Sequence, residues 1–213
     1  MPYGNGGTEE TMKTIKSVVP RAFGFFLVLT VICGVIYPLA VTGISKVFFQ
    51  KQAEGSIIEI DGVKYGSGLL AQEFTSDTYL WGRPMNKDIS TYTDDDGNVL
   101  LYAGASNKSP AGEELEEIIA NRVEHIKAAH PEKADQPVPS DLVTVSGSGL
   151  DPEISPAAAE YQVQRISEAR GISEADVRAV IEQYTKGRTL GIFGEPRVNV
   201  LKVNLALDGI LKG

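Results

Sequence analysis

Ala22 to Ser45 reads AFGFFLVLTVICGVIYPLAVTGIS, an apolar stretch with no charged residue between Arg21 and Lys46. At about 1.5 Å per residue it makes a helix of about 36 Å, enough to cross a hydrocarbon core of about 30 Å with some tilt. Pro38 argues for a break, yet a helix stopping at Tyr37 covers only about 24 Å and cannot cross. The expectation is a helix that continues through Pro38, kinked, with the freed carbonyl satisfied by a neighbouring helix. The run is apolar on all sides rather than along one stripe, unlike the core helix of a soluble domain. Lys13, Lys16 and Arg21 before it would suit a cleaved signal peptide, but no small-x-small pair follows cleanly and apolar residues continue through Val47, Phe48 and Phe49. A retained anchor is expected. Cys33, the single cysteine, follows the bulky Ile32 in mid-run and reads as a packing or lipid-facing residue.

Charge sets the expected orientation. Lys13, Lys16 and Arg21 flank the span on one side, Lys46 and Lys51 on the other, so the positive-inside bias places the N-terminus in the cytoplasm and all that follows Lys46 outside. Three segments result: 1–21, a polar cytoplasmic tail, disordered to Thr11, plus the basic flank; 22–45, the transmembrane helix; and 46–213, an extracytoplasmic soluble domain. Setting aside Lys13, Lys16 and Arg21 leaves 17 basic residues, and setting aside Glu9 and Glu10 leaves 26 acidic ones, so the remaining chain carries a charge of −9. That balance disfavours nucleic acid and anionic headgroups as partners. With its one cysteine in the membrane, the outer domain has no disulfide. Gly24, Gly34 and Gly43 are small positions at which another helix can approach the span.

The outer segment reads as an α+β domain, several amphipathic helices with short strands. Ser56 to Tyr65 is two β-prone pieces around Asp61-Gly62, a dipeptide suited to a tight hairpin. Tyr79, Trp81 and Arg83 cluster before Pro84, either as core anchors or as a docking patch. Asp94, Asp95 and Asp96 lack the spacing and closing Glu of a calcium loop and read as a solvated turn. Glu113 to Ala129 is an amphipathic helix with Leu115, Ile118, Ile119, Val123 and Ile126 on one face and carboxylates at its start. His125 and His130 stand at its end with no metal-ligand spacing and read as surface or capping residues.

Leu142 to Val145 is a candidate strand, Ser146-Gly147-Ser148-Gly149 a turn, and Asp151-Pro152 and Ser155-Pro156 two successive cap signals for a helix through Ala169. Strand, glycine turn and helix start together could form an anion nest, though no phosphate-loop lysine or G-x-G-x-x-G accompanies them. Gly171 ends that helix, and Ser173 to Asp176 caps another with Val177, Val180, Ile181 and Tyr184 inward. After a glycine-punctuated loop, Val198 and Val200 alternate as in a strand and Asn204 is placed to cap a final short helix. No nucleophile and base sit together, no carboxylate pair is implied, and one span cannot enclose a pore. The pattern is that of an accessory subunit rather than an enzyme.

Four blocks carry a resemblance: GVIYPLAVTGI (Gly34 to Ile44); GSGLLAQEF with YLWGRP (Gly66 to Pro84); PVPSDLVTVSGSGLDPEISPAAAEYQVQRI (Pro137 to Ile166); and TLGIFGEPRVNVLKVNLALD (Thr189 to Asp208). In this order they resemble the C-subunit family, KdpC, of the Kdp high-affinity potassium-transporting P-type ATPases. The departure is AGASNKSP, Ala103 to Pro110, where the family has a serine-glycine-rich segment followed by Gly-Pro. The resemblance implies a complex with a channel-like A subunit and an ATP-hydrolysing B subunit in the plasma or inner membrane. It also implies a role in assembly and as a catalytic chaperone that raises ATP affinity. Nucleotide contacts would map onto Ser146, Gly147, Ser148, Gly149 and Gln162; the chain itself requires no cofactor, and ATP would come through the complex. The alternative is a direct nucleotide-binding subunit in a ternary complex with ATP and the B subunit. The orientation conflicts with that alternative, since an outer turn cannot meet cytoplasmic ATP, and an indirect effect carried through the span and its partners is expected.

Overall fold

The computed structural model describes residues 6–85, 93, 97 and 104–212, with 6–11 described by backbone alone; the acidic run at 94–96 lies outside the described residues. They form two units, one up to Gly55 and one from Ser56.

The first unit is helical from the first described residue. α1 (Gly6–Val31) passes through a π-helical turn at Ile32–Ile36 into α2 (Tyr37–Phe48), and α3 (Gln50–Ala53) follows. For 6–11 the expectation of a disordered tail is thereby corrected, because Glu9 and Glu10 fall early in a helix, where negative charge favours the dipole. Pro38 is accommodated inside the helix. It lacks an N–H and its ring crowds the carbonyl four residues back, and the helix widens just before it, with Tyr37 N–H donating to Ile32 O, five residues back. Met12–Phe48, 37 residues, is the one described helix long and apolar enough to cross a membrane, and its most apolar window is wholly exposed. At about 1.5 Å per residue it is about 55 Å long and outruns a core of about 30 Å. A Cβ added at Gly24, Gly34 or Gly43 would meet nothing within 4 Å.

The second unit is the expected mixed domain of helices and short strands. β1 (Ile57–Ile60) and β2 (Val63–Ser67) form an antiparallel hairpin, Ile60 opposite Val63, with a bulge between Ile58 and Glu59. Its turn is Asp61-Gly62 at φ 52° and 79°, the left-handed pair that this dipeptide supplies. α4 (Glu113–Ala129) keeps the sequence-predicted bounds, with Glu113, Glu114 and Glu116 in its first turn and Lys127 in its last. Short 3₁₀ turns at Pro131–Lys133 and Ser140–Leu142 lead to β3 (Glu153–Ile154), α5 (Pro156–Tyr161), α6 (Val163–Arg170), α7 (Glu174–Gln183), β4 (Thr185–Lys186), β5 (Arg197–Asn199) and α8 (Val200–Leu207). β5 is the middle strand of an antiparallel sheet ordered β3-β5-β4, with Val198 opposite both Ile154 and Thr185.

Local caps set the helix ends. Ser155 accepts from Ala158 N–H with Pro156 at the first helical position, and Ser173 accepts from Asp176 N–H. Gly171 ends α6 in the left-handed conformation, φ 65°. Asp151-Pro152, by contrast, starts no helix: Asp151 accepts from Glu153 N–H in a tight turn and the chain goes into β3. Leu142 to Val145 is not a strand. Its carbonyls are taken by guanidiniums, Val143 O by Arg122 and Thr144 O and Val145 O by Arg83, so no neighbouring strand is needed to satisfy them.

The core gathers Leu80, Trp81, Ile126, Leu142, Ile154, Ala158, Ile166, Val177, Val198 and Val203. Val177 and Ile181 are buried and Val180 and Tyr184 half-buried, which is the apolar face expected of α7. Asn199, not Asn204, caps the last helix, accepting from Lys202 N–H at 3.1 Å. Asn204 lies inside α8 and is 1% exposed.

Candidate functional site

Leu80 and Trp81 belong to no strand, yet both are buried and their backbone must be satisfied. Two side-chain amides do this. Asn204 accepts from Leu80 N–H at 2.8 Å and donates to Leu80 O at 2.9 Å. Gln162 accepts from Trp81 N–H at 2.8 Å and donates to Trp81 O at 3.0 Å. Each amide imitates the paired bonds of a neighbouring strand, and tethers an extended segment to helices far away in sequence.

Arg165 joins the second clamp. Its Nη2 donates to Gln162 Oε1 at 2.8 Å and to Tyr79 O at 3.0 Å, its Nη1 to Asp77 O, and its Nε to His130 Nε2 at 3.0 Å. The guanidinium carbon lies 4.0 Å from the Trp81 ring centroid, on which His125 also stacks at 5.5 Å. Burial lowers the Arg165 pKa to about 10, partly offset by Asp77 and Glu132. The group therefore remains a cation at neutral pH.

His130 is fully buried, which corrects its reading as a surface or capping residue. Its Nδ1 bonds Ile126 O at 2.7 Å and its Nε2 accepts from Arg165, an arrangement that requires the neutral ring with the proton on Nδ1. Burial lowers its pKa, the Ile126 bond opposes this, and the Arg165 charge reinforces it. A histidine lowered in the folded state binds its proton more readily when unfolded, so its contribution to stability is complete above the ordinary value of about 6.5 and declines as pH falls below it. One such group gives a slope of at most about 1.4 kcal/mol per pH unit. Thermal unfolding between pH 8 and 5 should accordingly fall more steeply for the native chain than for His130→Gln, and parallel curves would refute this linkage.

The turn at Ser146 to Gly149 closes on itself. Gly149, at φ 72°, donates to Ser146 O at 3.2 Å, Leu150 N–H donates to Ser148 Oγ at 3.3 Å, and the two serine hydroxyls are 3.3 Å apart. Leu150 O in turn accepts from Ala71 N–H at 2.9 Å. Ser146 and Gly149 are buried, whereas Gly147 and Ser148 are exposed. Gln162 is 0% exposed, and its amide bonds go to Trp81, Arg165 and Ala158. The bonds made by the turn and by Gln162 do not join the two. Trp81 is 8% exposed and is a core anchor; Arg83 bonds Thr144 and Val145 and pairs with Asp151 at 3.6 Å. Among the described residues no group of three or more His, Cys, Asp or Glu comes together as metal ligands would.

A family profile described as "K+-transporting ATPase, c chain" matches residues 19–209. The chain belongs to the KdpC family. The "Potassium-transporting ATPase KdpC subunit" of Clostridium botulinum (strain Eklund 17B / Type B) is 53% identical over 201 residues, 94% of this chain and 100% of that protein. The subunit of Clostridium perfringens (strain ATCC 13124) is 55% identical over 195 residues, covering 92% and 98%. That of Dechloromonas aromatica (strain RCB) is 46% identical over 198, covering 93% and 100%. As a KdpC-family chain it is a subunit of the Kdp potassium-transporting ATPase complex, and the other Kdp subunits are its partners.

Within this KdpC domain, Arg165 is the residue that sequence reasoning missed, while His130 and Asn204 take roles other than the surface and capping ones expected of them. One signal was available: Ala158, Gln162, Arg165 and Ile166 recur at three- and four-residue spacing, so an amide and a guanidinium share the stripe of buried apolar residues.

Proposed function

We propose that the chain is a non-catalytic accessory subunit, held by its single span, whose outer domain supports assembly of the Kdp complex and acts as a catalytic chaperone for the ATP-hydrolysing B subunit. Contact with the channel-like A subunit is made outside the membrane, and any gain in ATP affinity passes through the complex rather than through direct contact. The observation that carries this reading is the closed state of Gln162, whose amide is buried and bonded to Trp81, Ala158 and Arg165. The Ser146 to Gly149 turn supports it as well, because its Gly149 and Leu150 N–H groups are spent internally rather than offered to an anion. Orientation follows from the basic flank at Lys13, Lys16 and Arg21.

A Ser148→Cys variant in a Cys33→Ser background tests the reading, since Ser148 is exposed. The new thiol should react with a membrane-impermeant maleimide in intact cells. Labelling only after permeabilisation would place the turn in the cytoplasm and promote direct nucleotide binding instead.

A further inference from the structure

Seven arginines follow the span, in a stretch whose net charge is −9. Six of them have a carboxylate oxygen within 4.0 Å: Arg83 has Asp151, Arg165 Asp77, Arg170 Asp208, Arg178 Glu160, Arg188 Glu195 and Arg197 Glu153. Arg122, on α4, is the exception. Its Nη1 donates to Val143 O at 3.0 Å, and among the described residues that carbonyl is its one partner. Burial lowers its pKa, and among the described residues no carboxylate offsets this as Asp77 and Glu132 do at Arg165. The guanidinium still keeps its charge at neutral pH. A half-buried cation without a counter-charge costs stability, and in so acidic a stretch a carboxylate partner was the simple remedy.

Arg122 borders two cavities. One, of about 570 Å³, is lined by Leu115, Ile118, Ile119 and Met85 with Thr144 and Lys108; the other, of about 270 Å³, by Phe74, Trp81, His125 and Ile126. Pro84, Met85 and Arg122 belong to both. Leu115, Ile118 and Ile119 come seven, four and three residues before Arg122 in α4, so they share its face of the helix. The other lysine and arginine of these walls are spent, Lys108 on Glu114 and Arg83 on Asp151. Glu73 also borders both cavities but is exposed and makes no ion pair with Arg122. One desolvated, uncompensated cation is thus set among apolar and aromatic walls.

We infer that Arg122 and the cavities beside it form a binding site for a small organic monocarboxylate with an apolar or aromatic body. With Nη1 on Val143 O, the Nε and Nη2 edge is the side of the guanidinium that offers two parallel N–H groups, the fork that a carboxylate fits. The body of the ligand would lie along Leu115, Ile118 and Ile119 or against Phe74 and Trp81. A concave site of this size, mostly apolar with one placed charge, has the make-up of a small-molecule pocket, typically about 300–1,000 Å³. A polyphosphate would need several cations where one is unspent. A second copy of this chain brings its own −9, and two such domains repel. None of Ser146, Gly147, Ser148, Gly149 or Gln162 lines either cavity, so the site is separate from the nucleotide contacts that the resemblance implies.

The test uses the full chain in nanodiscs of neutral lipid, with 4-phenylbutyrate as the probe. Trp81 is the single tryptophan and lines one of the cavities, so its fluorescence reports occupancy. The titration should saturate, and 4-phenylbutan-1-ol, with the same body and no charge, should bind about tenfold or more weakly. That comparison is made on the native chain, and equal affinity for acid and alcohol, or no saturation by the acid, would overturn the site. In Arg122→Gln the acid should fall to the affinity of the alcohol, and an acid that binds this variant as it binds the native chain would overturn the role of Arg122. In a second arm, equilibrium dialysis of labelled 4-phenylbutyrate compares the assembled Kdp complex carrying native chain with one carrying Arg122→Gln. Binding that depends on Arg122 should persist there. Its absence would assign Arg122 to a carboxylate of a partner subunit and overturn the small-molecule site.

Discussion

A chain truncated after Gln52 is expected to insert into the membrane yet yield no stable Kdp complex and no potassium-stimulated ATP hydrolysis. Insertion needs only the Met12–Phe48 helix, which lies wholly on the retained side. The whole second unit is lost, with the core and the Leu80-Trp81 clamp that hold its surface in shape. Charge alone should matter far less. Neutralising Asp94, Asp95 and Asp96 together should leave activity nearly unchanged, because the sequence reads them as a solvated turn and solvated charges are screened beyond about 8 Å at physiological salt. Copurification from detergent-solubilised membranes and ATP hydrolysis with and without potassium are the readouts. Full assembly and activity with the truncated chain would reduce the second unit to a passenger and assign the whole role to the span.

The features that were legible in the sequence are those specified by adjacent residues. Asp61-Gly62 announces a hairpin because its left-handed φ values are a property of that dipeptide, and the hairpin is there. Ser155-Pro156, Ser173 and Gly171 announce helix ends for the same reason. The bounds of α4 follow from carboxylates at one end and Pro131 after the other. What was not legible depends on partners distant along the chain. Asn204 reads as a cap by its type, but the cap is Asn199, and Asn204 is needed by Leu80 from across the fold. Leu142 to Val145 has a strand's composition, but Arg83 and Arg122 reach its carbonyls first. His130 looks like a surface histidine beyond a helix end until Arg165 and Tyr161 are seen around it. Pro38 announces a perturbation without saying which one; the π turn is one of several ways a helix can yield.

The candidate site divides along the same line. The Ser146 to Gly149 turn was visible as a turn, and its serine hydroxyls and glycine conformation make it self-contained. Gln162 stood out only through the family resemblance, as a nucleotide contact, and otherwise as one polar residue in a helix. Its meaning comes from Trp81 and Arg165, neither of which a local reading connects to it. A consequence follows for any experiment on nucleotide affinity. Substitution at Gln162 removes a clamp from the core, so a loss of ATP response in such a variant reports on ATP contact only if the domain has kept its stability.

Arg165→Met is expected to be strongly destabilising to the second unit. The residue is 6% exposed and bonds four acceptors, Asp77 O, Tyr79 O, Gln162 Oε1 and His130 Nε2. Methionine fills much of the volume but donates nothing. Water can serve the carbonyls of half-buried Tyr79 and exposed Asp77, and Gln162 Oε1 keeps its bond from Trp81 N–H, but Nε2 of fully buried His130 would be left an unmet acceptor. At about 1–3 kcal/mol for the stranded acceptor, with the contact over Trp81 also lost, the total is about 2–4 kcal/mol. That is a large share of the roughly 5–15 kcal/mol that holds a typical domain. For a domain of this size it corresponds to a fall of about 5–15 °C in melting temperature. Arg165→Lys should recover little, since an ammonium keeps the charge but cannot span acceptors arrayed around a planar guanidinium. Calorimetry of the purified chain decides the matter: a Met variant that melts within about 2 °C of the native protein would mean that the Trp81 segment is held by packing alone, and that the Gln162 amide can be freed at little cost.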